Sequence, residues 1–88
     1  MKRILITGAT SAIAQAAARH FAADGASFLL VGRDADKLAA VADDLRARGA
    51  KEVKTEAFDL LDLARGSRLI ADAVEQLGGL DALLVAQG

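Results

Sequence analysis

Four short apolar runs alternate with three longer segments of helical period, and this alternation constrains the chain more than any other feature. The runs cover residues 3–7, 27–32, 53–58 and 82–86. Ile4-Leu5-Ile6, Phe28-Leu29-Leu30-Val31 and Leu83-Leu84-Val85 are continuous, which suits strands covered on both faces. Val53-Lys54-Thr55-Glu56-Ala57-Phe58 alternates instead and predicts an edge strand. Parallel strands joined by helical crossovers follow from such a series, with right-handed connections.

The intervening helices are expected over residues 12–24, 35–48 and 67–77. In the first, Ile13, Ala17 and Phe21 recur at four-residue steps and predict the buried face, with Gly25 as terminator. In the second, Leu38, Val41 and Leu45 form the stripe, Asp34 stands at the cap position and Gly49 at the stop. In the third, the stripe is Ile70, Val74 and Leu77, closed by Gly78-Gly79, and either Asp62 or Ser67 is the candidate cap. The expected fold is therefore α/β: a Rossmann-like parallel sheet in the order 3-2-1-4 with flanking helices, its switch point between strands 1 and 4. A sheet ending at the fourth run would leave an unpaired edge rich in Leu and Val.

Composition narrows the function classes. The 88 residues make one small domain, 53% hydrophobic and 26% charged, in the range of a globular protein. A net charge of −1 supplies no basic footprint for nucleic acid or an anionic membrane. Without cysteine there is no disulfide, thiolate metal site or cysteine nucleophile, and one histidine is too few for an ordinary zinc site. No apolar run approaches the ~20 residues of a membrane span, and none has the form of a signal peptide, so the cytosol is the expected compartment.

The segment Thr7-Gly8-Ala9-Thr10-Ser11-Ala12-Ile13-Ala14 leads from the first strand straight into the first helix. A helix N-terminus presents free N–H groups and positive potential, the place where a dinucleotide fold holds pyrophosphate. Gly8 permits a sharp turn and close approach, and Thr10 and Ser11 offer hydroxyls. Acidic ribose readers of NAD-binding folds stand ~20 residues past the loop, at the end of strand 2. Gly32 and Arg33 occupy that place here. With no carboxylate to repel it, a 2′-phosphate is tolerated, and a guanidinium can hold it, which favours NADP over NAD. The remaining polar residues read as structural: His20 near a helix end, Asp43 and Asp44 as a solvated pair, Asp81 in a turn.

These residues resemble the short-chain dehydrogenase/reductase family along essentially the whole chain. The family pattern T-G-x-x-x-G-x-G lies over Thr7, Gly8, Ala12 and Ala14, with alanine in place of the second and third glycines and Ile13 between them. Asp59-Leu60 after the third strand resembles the family's Asp-hydrophobic pair, whose carboxylate meets the adenine amino group. Val85-Ala86-Gln87-Gly88 stands where the family commonly has Asn-Asn-Ala-Gly, and only Gly88 matches. The resemblance thus implies cofactor contacts at Gly8, Thr10, Ser11, Ala12, Ile13, Gly32, Arg33, Asp59, Leu60 and Gly88. It also implies an oxidoreductase that interconverts alcohol and carbonyl by hydride transfer, homo-oligomeric when complete. Catalysis in the family relies on a tyrosine four residues before a lysine, and this chain contains no tyrosine. The chain is therefore expected to be the N-terminal NADP-binding part of such an enzyme. A nucleotide-binding half-domain without chemistry, or a structural remnant, is the alternative.

Overall fold

The computed structural model describes residues 2–59 and 62–86. In chain order the elements are β1 (Arg3–Thr7), α1 (Ala12–Ala22), β2 (Ser27–Gly32), α2 (Ala35–Ala47), β3 (Glu52–Ala57), α3 (Leu63–Gly66), α4 (Leu69–Leu77) and β4 (Ala82–Val85). The strands form one sheet in the order β3-β2-β1-β4, every pair parallel, as the sequence predicts. Ile4 lies beside Phe28 on one side and Ala82 on the other, so β1 is the central switch strand.

Alternation within the strands divides the core in two. Ile4, Ile6, Phe28, Leu30 and Val53 face α1 and α2, whereas Leu5, Leu29, Val31 and Phe58 face α4. Double coverage explains why β1 and β2 are apolar at consecutive positions. The expected edge character of β3 is also present. Its outward residues are polar: Lys54 Nζ donates to the Gln76 carbonyl at 3.1 Å, and Gln76 Nε2 donates to Glu56 Oε1 at 3.0 Å. In α2 the expected stripe of Leu38, Val41 and Leu45 is buried together with Ala42. Asp34 caps this helix, its Oδ1 accepting from the N–H groups of Asp36 at 3.0 Å and Lys37 at 3.1 Å.

Two helices are rotated from their expected faces. In α1 the fully buried residues are Ala14, Ala18 and Ala22; of the expected stripe, Phe21 packs half-buried against the core, Ala17 is half-buried and Ile13 is 78% exposed. An all-alanine inner face lets the helix approach the sheet closely, which larger residues at those positions would prevent. The third helical segment is two pieces, α3 and α4, separated at Ser67-Arg68. Ser67 is not a cap: its hydroxyl donates to the Ala64 carbonyl at 3.1 Å, and Arg68 precedes α4 with no side-chain cap. Asp62 serves α3, with Oδ1 accepting from Arg65 N–H at 3.3 Å. The buried residues of α4 are Leu69, Ala73 and Leu77, while Ile70 and Val74 are exposed. Leu69, Ala73 and Leu77 join the core beside Leu5, Leu29 and Val31, and in this rotation Gln76 meets Glu56 of β3 while Ile70 and Val74 turn outward.

Asp43 and Asp44 are not merely solvated. Asp43 pairs with Arg46, and Asp44 receives Arg19 Nε of α1 at 3.1 Å and Arg48 Nε at 2.9 Å, tying α1 to α2. Hydrogen bonds from Arg48 and then Arg19 lower the Asp44 carboxyl below its ordinary value near 3.8. A carboxyl lowered by folding stabilises the fold above its unfolded pKa, and that contribution disappears as pH falls through the folded value. Acid titration of stability in wild type and Asp44→Asn is expected to show a smaller loss below pH ~4 in the variant. For the packing, Leu29→Ala is expected to cost about 2–5 kcal/mol in urea unfolding. Ile70→Ala is expected to stay within about 0.5 kcal/mol, because its side chain is already largely in water.

Candidate functional site

The candidate site lies along the C-terminal ends of β1, β2 and β3, on the switch-point side of the sheet. Gly8 leaves β1 with φ +65°, in the left-handed region, and a Cβ there would run into the Ala86 carbonyl oxygen. The missing side chain is thus replaced first by the backbone that follows β4. Ala9 N–H donates to the Val31 carbonyl at 3.1 Å and Ser11 N–H to the Gly8 carbonyl at 3.1 Å, so the loop is fastened to the end of β2 and to itself. Ser11 is the N-cap of α1, its Oγ accepting from Ala14 N–H at 3.1 Å. That leaves the N–H groups of Thr10, Ala12 and Ile13 without a hydrogen bond among the described residues. Three open donors at one helix start can accept an anion.

Both glycine replacements find a physical account. Ala14 is 1% exposed and its methyl belongs to the core between α1 and the sheet. Ala12 is exposed, so its methyl stands in solvent beside the open N–H groups. Ile13 is brought to the same rim, an apolar side chain held out at the mouth of the loop.

At the end of β2, Gly32 is half-buried and a Cβ there would press on Leu38 at 3.2 Å. Its carbonyl accepts Phe58 N–H at 2.9 Å, which carries the β2–β3 pairing to the rim. Arg33 is exposed and has no ion pair or hydrogen bond among the described residues. Asp34, the natural neighbour to neutralise it, is turned into the α2 cap. Asp59 is exposed just beyond β3, and its carbonyl accepts Asp62 N–H at 2.8 Å. Leu60 and Gly88, and with it Gln87, lie outside the described residues.

Three features of this region escape a reading of the residues alone. Gln15 Nε2 donates to the Thr10 carbonyl at 2.9 Å and braces the loop from within the helix. A lone amide among the alanines of α1 is the signal that could have found it. Thr7 Oγ1 is buried at the root of the loop and makes no hydrogen bond among the described residues. Arg65 of α3 lies over the Phe58 ring, its Cζ 4.4 Å from the centroid, and roofs the end of β3. Asp81 is a turn residue as expected: it accepts from Arg3 N–H at 2.8 Å and from Arg3 Nε at 3.2 Å. Those bonds, the backbone one foremost, lower its carboxyl below the ordinary value. Among the described residues no cluster of His, Asp or Glu is arranged to hold a metal ion, and no helix is long and apolar enough to cross a membrane.

A parallel 3-2-1-4 sheet with an open helix N-terminus at its switch point defines a Rossmann-like fold. The model of the short chain dehydrogenase family matches residues 2–88, and this chain belongs to that family. It is 37% identical over 87 residues to glucose 1-dehydrogenase of Gluconobacter oxydans, covering 99% of this chain and 33% of that protein. L-Sorbose reductase from Gluconobacter frateurii, solved with NADPH and L-sorbose, superposes with a TM-score of 0.83 at 28% identity, over 99% of this chain and 34% of that one. An NADH-dependent reductase solved with NAD superposes with a TM-score of 0.82 at 35% identity, over 99% and 36%. The chain spans about a third of the length of these relatives.

The Gly8 contact yields a direct test. Gly78 also has positive φ (77°) but nothing lies within 4 Å of where its Cβ would be, so Gly78→Ala is expected to cost only the backbone strain, about 1–2 kcal/mol. Gly8→Ala carries that strain and also displaces the end of β4, so urea unfolding is expected to show a clearly larger loss.

Proposed function

We propose that these residues form the cofactor-binding part of a short-chain oxidoreductase, holding the adenosine and pyrophosphate portion of NADP. The unbonded N–H groups of Thr10, Ala12 and Ile13 carry this reading, since they offer donors where a pyrophosphate would sit. The residues present fit the group. Gln15 and Ser11 hold the loop open rather than filling it, and Thr10 adds a hydroxyl at its rim. Gly8, Ala12 and Ile13 border the pyrophosphate, Gly32 and Arg33 the ribose, and Asp59 the adenine; Leu60 and Gly88 complete the proposed set. When bound, the dinucleotide would carry the hydride, its reduced form giving it to a carbonyl carbon and its oxidised form taking it from an alcohol carbon. This chain's own part is to bind and orient.

Preference for NADP is supported by an unneutralised guanidinium at Arg33 and by glycine, not a carboxylate, at position 32. No proton donor of the family type is offered by these residues, because the chain has no tyrosine. Binding without chemistry is accordingly the second reading for the 88 residues, with hydride transfer belonging to a longer protein of the relatives' length.

Titration of NADP and NAD into wild type and Arg33→Ala tests the proposal. One charge-assisted contact is worth ~1.5–3 kcal/mol, so NADP affinity is expected to fall roughly ten- to a hundredfold with NAD little changed. Unchanged NADP affinity, or equal losses for both nucleotides, would remove Arg33 from the ribose site.

A further inference from the structure

The peptide unit between Thr10 and Ser11 is held at both of its polar atoms. Its N–H, that of Ser11, donates to the Gly8 carbonyl at 3.1 Å, and its carbonyl, that of Thr10, accepts from Gln15 Nε2 at 2.9 Å. Gln15 N–H donates in turn to the Ser11 carbonyl at 3.0 Å, so one residue engages the two successive carbonyls that lead into α1. The reach follows from helix geometry. Side chains of a helix tilt towards its N-terminus, so residue 15, one turn above the Ser11 cap, comes back to the residue before that cap.

These two bonds orient the open donors on either side. A peptide unit is planar and trans, so its N–H points opposite to its carbonyl. With the Ser11 carbonyl on Gln15, the N–H of the same unit, that of Ala12, points out of the helix start. The unit before the clamped one carries the other open donor, Thr10 N–H. No neighbour can take over the clamp: Gln15 is the one polar side chain between Ser11 and Arg19, and Ser11 Oγ is engaged by Ala14 N–H. Its base is firm, because Ala14 and Ala18 are both 1% exposed and seat α1 on the sheet. Its amide is neutral, and no acidic residue stands in the first turn, so the Thr10 carbonyl is held without a negative charge beside an anion.

We propose that Gln15 is the positioning residue of the pyrophosphate loop, setting the N–H groups of Thr10 and Ala12 before the anion arrives. The role rests on the cofactor reading above. It adds that affinity for the portion shared by NAD and NADP depends on a half-buried side chain bonded to the loop itself. Without that bond the Thr10 carbonyl is free to turn its partial negative charge towards the phosphate, and binding must order the loop.

Gln15→Met removes the donor and Gln15→Lys keeps one. Both replacements have helix propensity close to that of glutamine, so circular dichroism is expected to match wild type. Amide hydrogen exchange of the free protein reads the clamp directly: Ser11 N–H is expected to exchange faster in Gln15→Met and at the wild-type rate in Gln15→Lys. In titrations with NAD and NADP, Gln15→Met is expected to weaken both by the same factor, roughly threefold to tenfold, and Gln15→Lys to restore both. Wild type that binds neither nucleotide overturns the cofactor reading and this role with it. Where wild type binds, undiminished affinity in Gln15→Met overturns the role of Gln15 alone, as does a loss confined to NADP or an unchanged Ser11 exchange rate. Affinity restored by Gln15→Lys without Ser11 protection assigns the rescue to the lysine charge and overturns the clamp.

Discussion

At Gly8 the chain leaves β1 in a left-handed turn, and the space a side chain would take is filled by the Ala86 carbonyl. One backbone contact thereby joins three things that must be in register: the end of the central strand, the residue after its outer neighbour β4, and the first turn of α1. Ala86 N–H returns the bond to the Thr7 carbonyl at 3.0 Å, so the approach is held from both sides. The turn at Gly8 and the chain after β4 are thus in direct backbone contact. The open donors of Thr10, Ala12 and Ile13 follow directly after this wedge in the chain.

Much of that arrangement can be read directly from residue order. Continuous apolar runs identify β1 and β2 as doubly covered, alternation marks β3 as an edge, and right-handed crossovers then leave 3-2-1-4 as the order. Asp34 as a cap and Leu38, Val41 and Leu45 as a stripe are local matters of spacing, decided within a few residues. The rotations of α1 and α4 are not local. In α1 two faces are available, one with Ile13 and Phe21 and one purely of alanine, and side-chain size favours the first by burial alone. Close approach to a flat sheet favours the second, and nothing in helical period weighs that distance. In α4 the buried face is set by packing of Leu69, Ala73 and Leu77 on Leu5, Leu29 and Val31, residues far away in the chain that no window of helical length contains.

The site shows the same division. Gly8, Ser11 and Arg33 stand where spacing places them, but their states depend on neighbours. Ser11 is spent largely on capping α1, with its oxygen already accepting from Ala14. Arg33 keeps its charge available because Asp34 is occupied at the start of α2. The cap position of Asp34 is legible from spacing; the absence of any other partner for Arg33 among the described residues is not. The same kind of context turns Asp44 from a surface charge into the link between α1 and α2.

Alanine at the second and third motif positions illustrates how a departure from a family pattern is absorbed. A third glycine would let α1 and β1 approach without a side chain; Ala14 instead spends its methyl in that interface at 1% exposure, adding apolar contact where glycine adds none. Glycine within a helix also costs roughly 0.5–1 kcal/mol against alanine, so both replacements firm the first turn. Ala12 lies on the opposite side, its methyl in solvent, and leaves its own N–H and that of Ile13 open. The two alanines remove no backbone donor from the loop. At Gly8 itself the close approach of the Ala86 carbonyl leaves no room for a side chain, so glycine is kept there while the two later motif positions tolerate alanine.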